Sequence, residues 1–317
     1  MPFQPITEDV QYPSGFTADD QSLLLDVARL SALAYQEGTN LTNLWNSALS
    51  DSSRPYHDLL NRIRTLKIIE QREEGLQAFS CEYKPHGYPD NVLAIVVRGT
   101  SDIIDALTDI KIRKIDFGSN SNGELQEGVR VHRGFHDQYE SLVTQFGNVI
   151  TDYLKKGGVV LFSGHSMGAA IATLLAMNYG SFKGTGKVWL TVFGSPAVGN
   201  VKFAERCEQV VDLLWRVKNG RDPVCMVPSE FFGYRHAGKE IHLGDEDPLP
   251  HFAFLWDIAD HAFNKYVENL AQNGTMPSFT PAHVMEKIQS SMAGLSMAAQ
   301  QAAQKAAELV KQKKVAS

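Results

Sequence analysis

The sequence predicts an α/β protein with a mainly parallel central sheet covered by helices on both faces. Three observations predict it. Apolar runs at 92–97, 159–163, 188–193 and 213–217 lack the polar alternation of a strand with one wet face. Helical spacing fills the intervals, most clearly in the stripe Phe135, Tyr139, Leu142, Val143, Phe146, Ile150, Tyr153 and Leu154. The run at 159–163 passes directly into Gly164-His165-Ser166-Met167-Gly168 and then into small and aliphatic residues at helical spacing, which reads as strand, sharp turn and helix.

That turn is a nucleophile elbow. Its serine must adopt a strained backbone with the hydroxyl exposed, and the close approach of strand and helix calls for glycine at 164 and 168 and small residues at Ala169, Ala170 and Ala172. Upstream, Thr17 followed by Asp19 and Asp20 predicts a capped helix carrying Leu23, Leu24, Val27, Leu30, Ala34 and Tyr35 on its buried side. A second helix is expected around 59–66. Segments 76–83 and 92–97 flank a Pro/Gly/Asp loop and predict adjacent strands. A helix is expected over 200–210. In a sheet of this kind ligands bind at the carboxyl ends of the strands, where Thr100, Ser166 and Gly194 fall.

The chain of 317 residues is long enough for one large α/β domain or two small ones, and 43% hydrophobic with 21% charged residues is ordinary for a globular protein. A net charge of −6, with no basic cluster interleaved with aromatics, excludes a nucleic-acid partner. The first residues carry neither a basic nor an apolar signal region, and no apolar run reaches the ~18 residues of a membrane span. A cytoplasmic location, or export by a signal-independent route, is therefore expected. Cys81, Cys207 and Cys225 lack metal-ligand spacing and read as buried thiols, with one disulfide among them as the alternative. No metal or organic cofactor is implied.

A serine is a weak nucleophile unless a base lies within hydrogen-bond reach and a third group orients that base. Asp222 directly follows the strand expected at 213–217 and so shares the sheet edge with Ser166, although an aspartate before proline is also a common turn former. His236, His242, His251, His261 and His283 all follow, and spacing does not decide among them. His165, inside the elbow, reads as a structural neighbour.

The ordered set Arg98-Gly99-Thr100, Asp109, Val131-His132-Arg133-Gly134-Phe135, Gly164-His165-Ser166-Met167-Gly168, the stretch from Val192 to Asn200, Asp222-Pro223-Val224, Tyr234-x-His236-x-Gly238-x-Glu240 and His261-x-x-x-x-Tyr266 resembles the class 3 lipase family. The resemblance spans roughly residues 75 to 270. It implies an α/β-hydrolase fold and a serine carboxyl-ester hydrolase acting on acylglycerols or related lipid esters at an oil–water or membrane interface. By the same resemblance Ser166 is the nucleophile, Asp222 the orienting acid and His261 the base, Thr100 and the Met167 N–H form the oxyanion hole, and Ile103, Ile104 and Leu107 belong to a lid. A phospholipase or short-chain esterase is the nearest alternative; a catalytically idle binding protein is the alternative from another class.

Two departures stand out. Ala169 occupies a position where the family usually has glycine, and the signal peptides and disulfides of the fungal members have no counterpart, which points to a bacterial-type or intracellular relative. Beyond residue 280, Met285, Ile288, Met292, Leu295, Ala299, Ala302, Ala306 and Leu309 form a heptad seam in an Ala/Gln/Lys-rich helix. The expected organisation is a hydrolase domain over 1–280 and a C-terminal helix over 281–317 that supports homo-oligomers.

Overall fold

The computed structural model describes residues 10–36, 38–48, 56–71, 76–100, 113–117, 127–181, 183–244 and 261–270. Ile103, Ile104, Leu107, His251, His283 and the expected helix over 281–317 lie outside the described residues. In chain order these form β1 (Val10–Gln11), α1 (Ala18–Leu33), α2 (Gly38–Ala48), the one-turn α3 (His57–Leu60), β2 (Ile63–Gln71), β3 (Leu76–Tyr83), β4 (Val92–Val97), β5 (Lys114–Asp116), β6 (Arg130–His132), α4 (Arg133–Lys155), β7 (Val159–His165), α5 (Met167–Gly180), β8 (Lys187–Phe193), α6 (Val201–Val210), β9 (Leu213–Asn219), β10 (Lys239–Leu243) and α7 (Phe263–Leu270).

The main sheet has the order β1-β10-β9-β8-β7-β4-β3-β2. Strands β4, β7, β8, β9 and β10 run parallel, while β1, β3 and β2 pair antiparallel at the two edges. Side chains alternate faces along a strand, so an all-apolar run requires cover on both sides. In β4, Leu93, Ile95 and Val97 enter one core with α4, α5 and α6, and Val92, Ala94 and Val96 enter the other with α1, α3 and α7. Helix α5 has almost no exposed residue, in keeping with its apolar sequence on all sides. The second sheet is the antiparallel pair β5-β6.

The helix expected around 59–66 is corrected. Its helical spacing continues only to Leu60, and from Ile63 the chain is a strand of nine residues paired with β3. β-branched Ile63, Thr65, Ile68 and Ile69 fit a pleated edge, and cross-strand pairing overrides the local spacing. The helix after Asn200 starts as expected, with the Asn200 Oδ1 accepting from Phe203 N–H at 3.0 Å.

Helix α1 is anchored to the sheet by polar contacts as well as packing. The Thr17 hydroxyl and the Asp20 carboxylate form a reciprocal capping box. Ser163 Oγ donates to the Thr191 carbonyl at 2.7 Å, so Ser31 Oγ is the donor in the 2.8 Å bond to Ser163. Buried Asp26 receives Arg62 through both oxygens at 2.6 Å, and Arg62 also donates to the Lys84 carbonyl. Losing one member of such a pair strands a charge out of water, at a cost of about 3–5 kcal/mol. Arg62→Leu is therefore expected to lower the unfolding free energy by about 3–5 kcal/mol, read as a lower urea midpoint, and Asp26→Leu/Arg62→Leu to recover part of it. Equal midpoints for wild type and Arg62→Leu would show the pair to be energetically idle.

Candidate active site

Ser166 sits between β7 and α5 at φ 58°, ψ −127°, a backbone conformation that non-glycine residues rarely hold. The surroundings fix it. Ser166 N–H donates to the Phe193 carbonyl at 3.0 Å, and its own carbonyl accepts from Ala169 N–H at 3.0 Å. A Cβ at Gly164 would lie 2.6 Å from Gly168 backbone, and one at Gly168 would lie 2.3 Å from the Val97 carbonyl oxygen. Both glycines of the elbow are thus steric requirements, while the Ala169 methyl is accommodated in the core.

Gly99, at the end of β4, passes against the elbow: a Cβ there would meet Ser166 Cβ at 3.0 Å. Thr100 is the next residue along the chain. Met167 is the first residue of α5, where N–H groups have no intrahelical acceptor and the helix dipole presents partial positive charge.

Asp222 follows β9 and is fully buried. Its Oδ1 accepts from Val224 N–H at 2.9 Å, and its Oδ2 accepts from His261 Nδ1 at 2.7 Å and from the Tyr266 hydroxyl. Burial and the adjacent carboxylate push the Tyr266 phenol well above its ordinary range, so it remains a donor. Because Nδ1 of His261 carries the proton shared with Asp222, the lone pair of the neutral ring is on Nε2. That atom is buried with no hydrogen-bond partner among the described residues. The pair fits only because residue 194 is glycine: φ there is 55°, and a Cβ would stand 2.8 Å from Asp222 Oδ2 and 3.0 Å from the His261 ring.

Of the other histidines, His236 donates its Nε2 proton to the Cys225 carbonyl at 2.7 Å, and burial with nearby Arg216 pulls its pKa down to about 4. His242 lies on β10 with its ring 3.7 Å from the Glu240 carboxylate. The three cysteines are buried free thiols. Among the described residues no group of acidic, histidine or cysteine side chains could hold a metal ion.

Residues 94–232 match the family model described as Lipase (class 3). That stretch, under half of the chain, is similar to class 3 lipases. Similar proteins include a secreted mono- and diacylglycerol lipase of Malassezia globosa, 34% identical over 160 residues, 48% of this chain and 51% of that protein. A lipase of Rhizomucor miehei is 30% identical over 167 residues, 51% of this chain and 44% of that one. The chain thus spans about half the length of the curated relatives it matches. The solved structure of Rhizomucor miehei triacylglyceride lipase superposes with a TM-score of 0.61 at 22% identity, covering 75% of this chain and 84% of that one. The lipase of Rhizopus microsporus var. chinensis gives 0.57 at 23%, covering 81% and 90%. The class 3 lipase fold, an α/β-hydrolase fold, is therefore the fold of this chain.

Several participants escaped sequence reasoning. The clearance at Gly194 and the role of Tyr266 were carried only as motif positions, and Tyr35, which forms a 2.6 Å hydrogen bond with His165 Nδ1, only as a position on the buried side of the first helix. Gly194→Ala is expected to keep the fold but lower turnover of p-nitrophenyl butyrate about 10- to 100-fold, because a displacement of under 1 Å at a reacting pair has effects of this order. Wild-type turnover in Gly194→Ala would show that the pair tolerates movement.

Proposed function

We propose that the protein is a serine carboxyl-ester hydrolase acting on acylglycerols or related lipid esters. The observation that carries this reading is the buried Asp222–His261 pair, its Nε2 without a hydrogen-bond partner among the described residues and its His261 ring stacked on His165, the residue before a serine held at an elbow. Ser166 Oγ attacks the ester carbonyl carbon as His261 Nε2 takes its proton. Asp222 stabilises the imidazolium that forms, and Val224 N–H and Tyr266 keep the carboxylate in place. Thr100 and the Met167 N–H stabilise the oxyanion; donors of this kind contribute ~3–4 kcal/mol each to the transition state. The leaving alcohol takes the proton back from His261, and a water activated by the same nitrogen releases the acid from Ser166.

The substrate class is supported by the relatives, whose names give mono- and diacylglycerols. Action at a lipid surface is supported by the segment just after Asp222, where Met226, Phe231 and Phe232 are exposed by 66%, 89% and 44%. Large apolar side chains in water favour transfer to an apolar phase. Ile103, Ile104 and Leu107 as a lid, and the 281–317 helix as an oligomerisation element, complete the proposal on the sequence pattern alone. Among the described residues no helix is long and apolar enough to cross a membrane. The Malassezia relatives are secreted lipases, whereas the buried thiols here suit a reducing compartment as well.

Ser166→Ala and His261→Ala are each expected to lower kcat on p-nitrophenyl butyrate by roughly 10⁴–10⁶, and the double variant by little more, because such residues act as a unit. Near-wild-type turnover in His261→Ala would move the base elsewhere. Phe231→Ser/Phe232→Ser is expected to reduce co-sedimentation with a triacylglycerol emulsion several-fold; unchanged sedimentation would remove this segment from the interface.

A further inference from the structure

His165 lies inside the elbow, yet glycines on either side of Ser166 account for the turn, and nothing in elbow geometry asks for an imidazole. Its ring is buried among Phe193, Phe263 and Tyr266 and stacks on the His261 ring with centroids 4.4 Å apart. Both nitrogens are used. Nε2 is 2.9 Å from the His261 carbonyl oxygen, and a carbonyl only accepts, so Nε2 carries the proton. Nδ1 is then the lone pair that accepts from the Tyr35 hydroxyl at 2.6 Å. The Tyr35 hydroxyl also lies against Gly99, where a Cβ would stand 2.7 Å from its oxygen.

From Tyr35, packed against Gly99 at the end of β4, these bonds run through His165 to the backbone of His261, and on from its ring to Asp222. Tyr35 and His165 each keep one protonation state. Burial keeps the Tyr35 phenol protonated, and burial together with the neighbouring His261 holds His165 well below the ordinary imidazole range and hence neutral. A neutral neighbour adds no repulsion to the imidazolium that forms on His261 during the reaction. An apolar residue at 165 would fill the same space without the cost of burying two polar atoms, but it has no donor for the His261 carbonyl.

We infer that Tyr35 and His165 are positioning residues of the hydrolysis, a hydrogen-bonded belt that holds the base in register with Ser166 and with the oxyanion end of β4. The inference rests on the proposed hydrolase reading and goes beyond it in naming what fixes the base from its backbone side.

The test uses the full chain and p-nitrophenyl butyrate, with kcat and KM measured separately. Tyr35→Phe keeps the ring against Phe263 and removes only the hydroxyl. In His165→Asn the amide sits at the level of Nδ1 and can accept from Tyr35, but no group reaches the His261 carbonyl. In His165→Gln the amide nitrogen sits at the level of Nε2 and restores that donor. The expected result is KM within about twofold throughout, with kcat lowered about tenfold in Tyr35→Phe and about a hundredfold in His165→Asn. His165→Gln is expected within about fivefold of wild type. A purely structural role would lower the melting temperatures of the two His165 variants without separating their kcat values. Equal kcat in His165→Asn and His165→Gln, or wild-type kcat in Tyr35→Phe, overturns the inference; if the His165 variants do not fold, Tyr35→Phe alone decides. An inactive wild type would instead count against the hydrolase reading. The belt is then read by ¹⁵N NMR of the histidines, where His165 is expected as the neutral Nε2–H tautomer from about pH 5 to about pH 8, and a protonated or mixed ring overturns it.

Discussion

Asp222 is a carboxylate with no exposure to water, so the charge must be met by donors inside the protein. Three converge on it, from Val224 N–H in the turn after β9, from the ring of His261 and from the hydroxyl of Tyr266 on α7. Much of the site follows from that requirement. The chain before α7 must return to the carboxyl edge of the sheet, which carries His261 to Asp222. The turn after β8 must leave room for the pair, which only a residue without a side chain at 194 allows. The open nitrogen of His261 is a by-product of the same satisfaction: with Nδ1 committed to Asp222, Nε2 remains for chemistry.

The parallel strands supply the other half of the geometry. Residues at the ends of β4, β7, β8 and β9 reach one edge because the strands run the same way, and both faces are sealed by helices. Strain at Ser166 is sustained because the backbones of residues 164 and 168 pack against each other and against residues 97 and 98 at distances that exclude a Cβ at 164 or 168. The bonds through Tyr35 and His165 link the segment just after α1 to this edge, so the chain covering one face of the sheet also bears on His261.

Much of this architecture was legible in the sequence. The runs at β4, β7, β8 and β9 were readable because burial on both faces writes a continuous apolar stretch, and α4 because one apolar stripe faces the sheet. β2 was misread as helix since Leu59, Leu60, Ile63 and Leu66 happen to fall at helical spacing, and only its pairing with β3 decides otherwise. β1 is too short, and α2 too rich in Thr and Asn, to announce themselves. At the site, the elbow was visible because glycines are demanded by backbone contact. The choice among five downstream histidines was not, since the distance that selects His261 spans 39 residues of chain. Tyr35 and His165, 130 residues apart, meet only when α1 folds across β7.

The central claim is that Ser166 is a nucleophile made reactive by His261 and Asp222. Reaction with a fluorophosphonate, followed by peptide mass spectrometry, tests it most directly, because the probe reports nucleophilicity without any assumption about the natural ester. The account predicts one adduct per chain, on Ser166, formed rapidly in the wild type and at least ~10³-fold more slowly in Asp222→Ala and His261→Ala. An adduct on another residue, or labelling of Ser166 at the same rate in all three proteins, would contradict it.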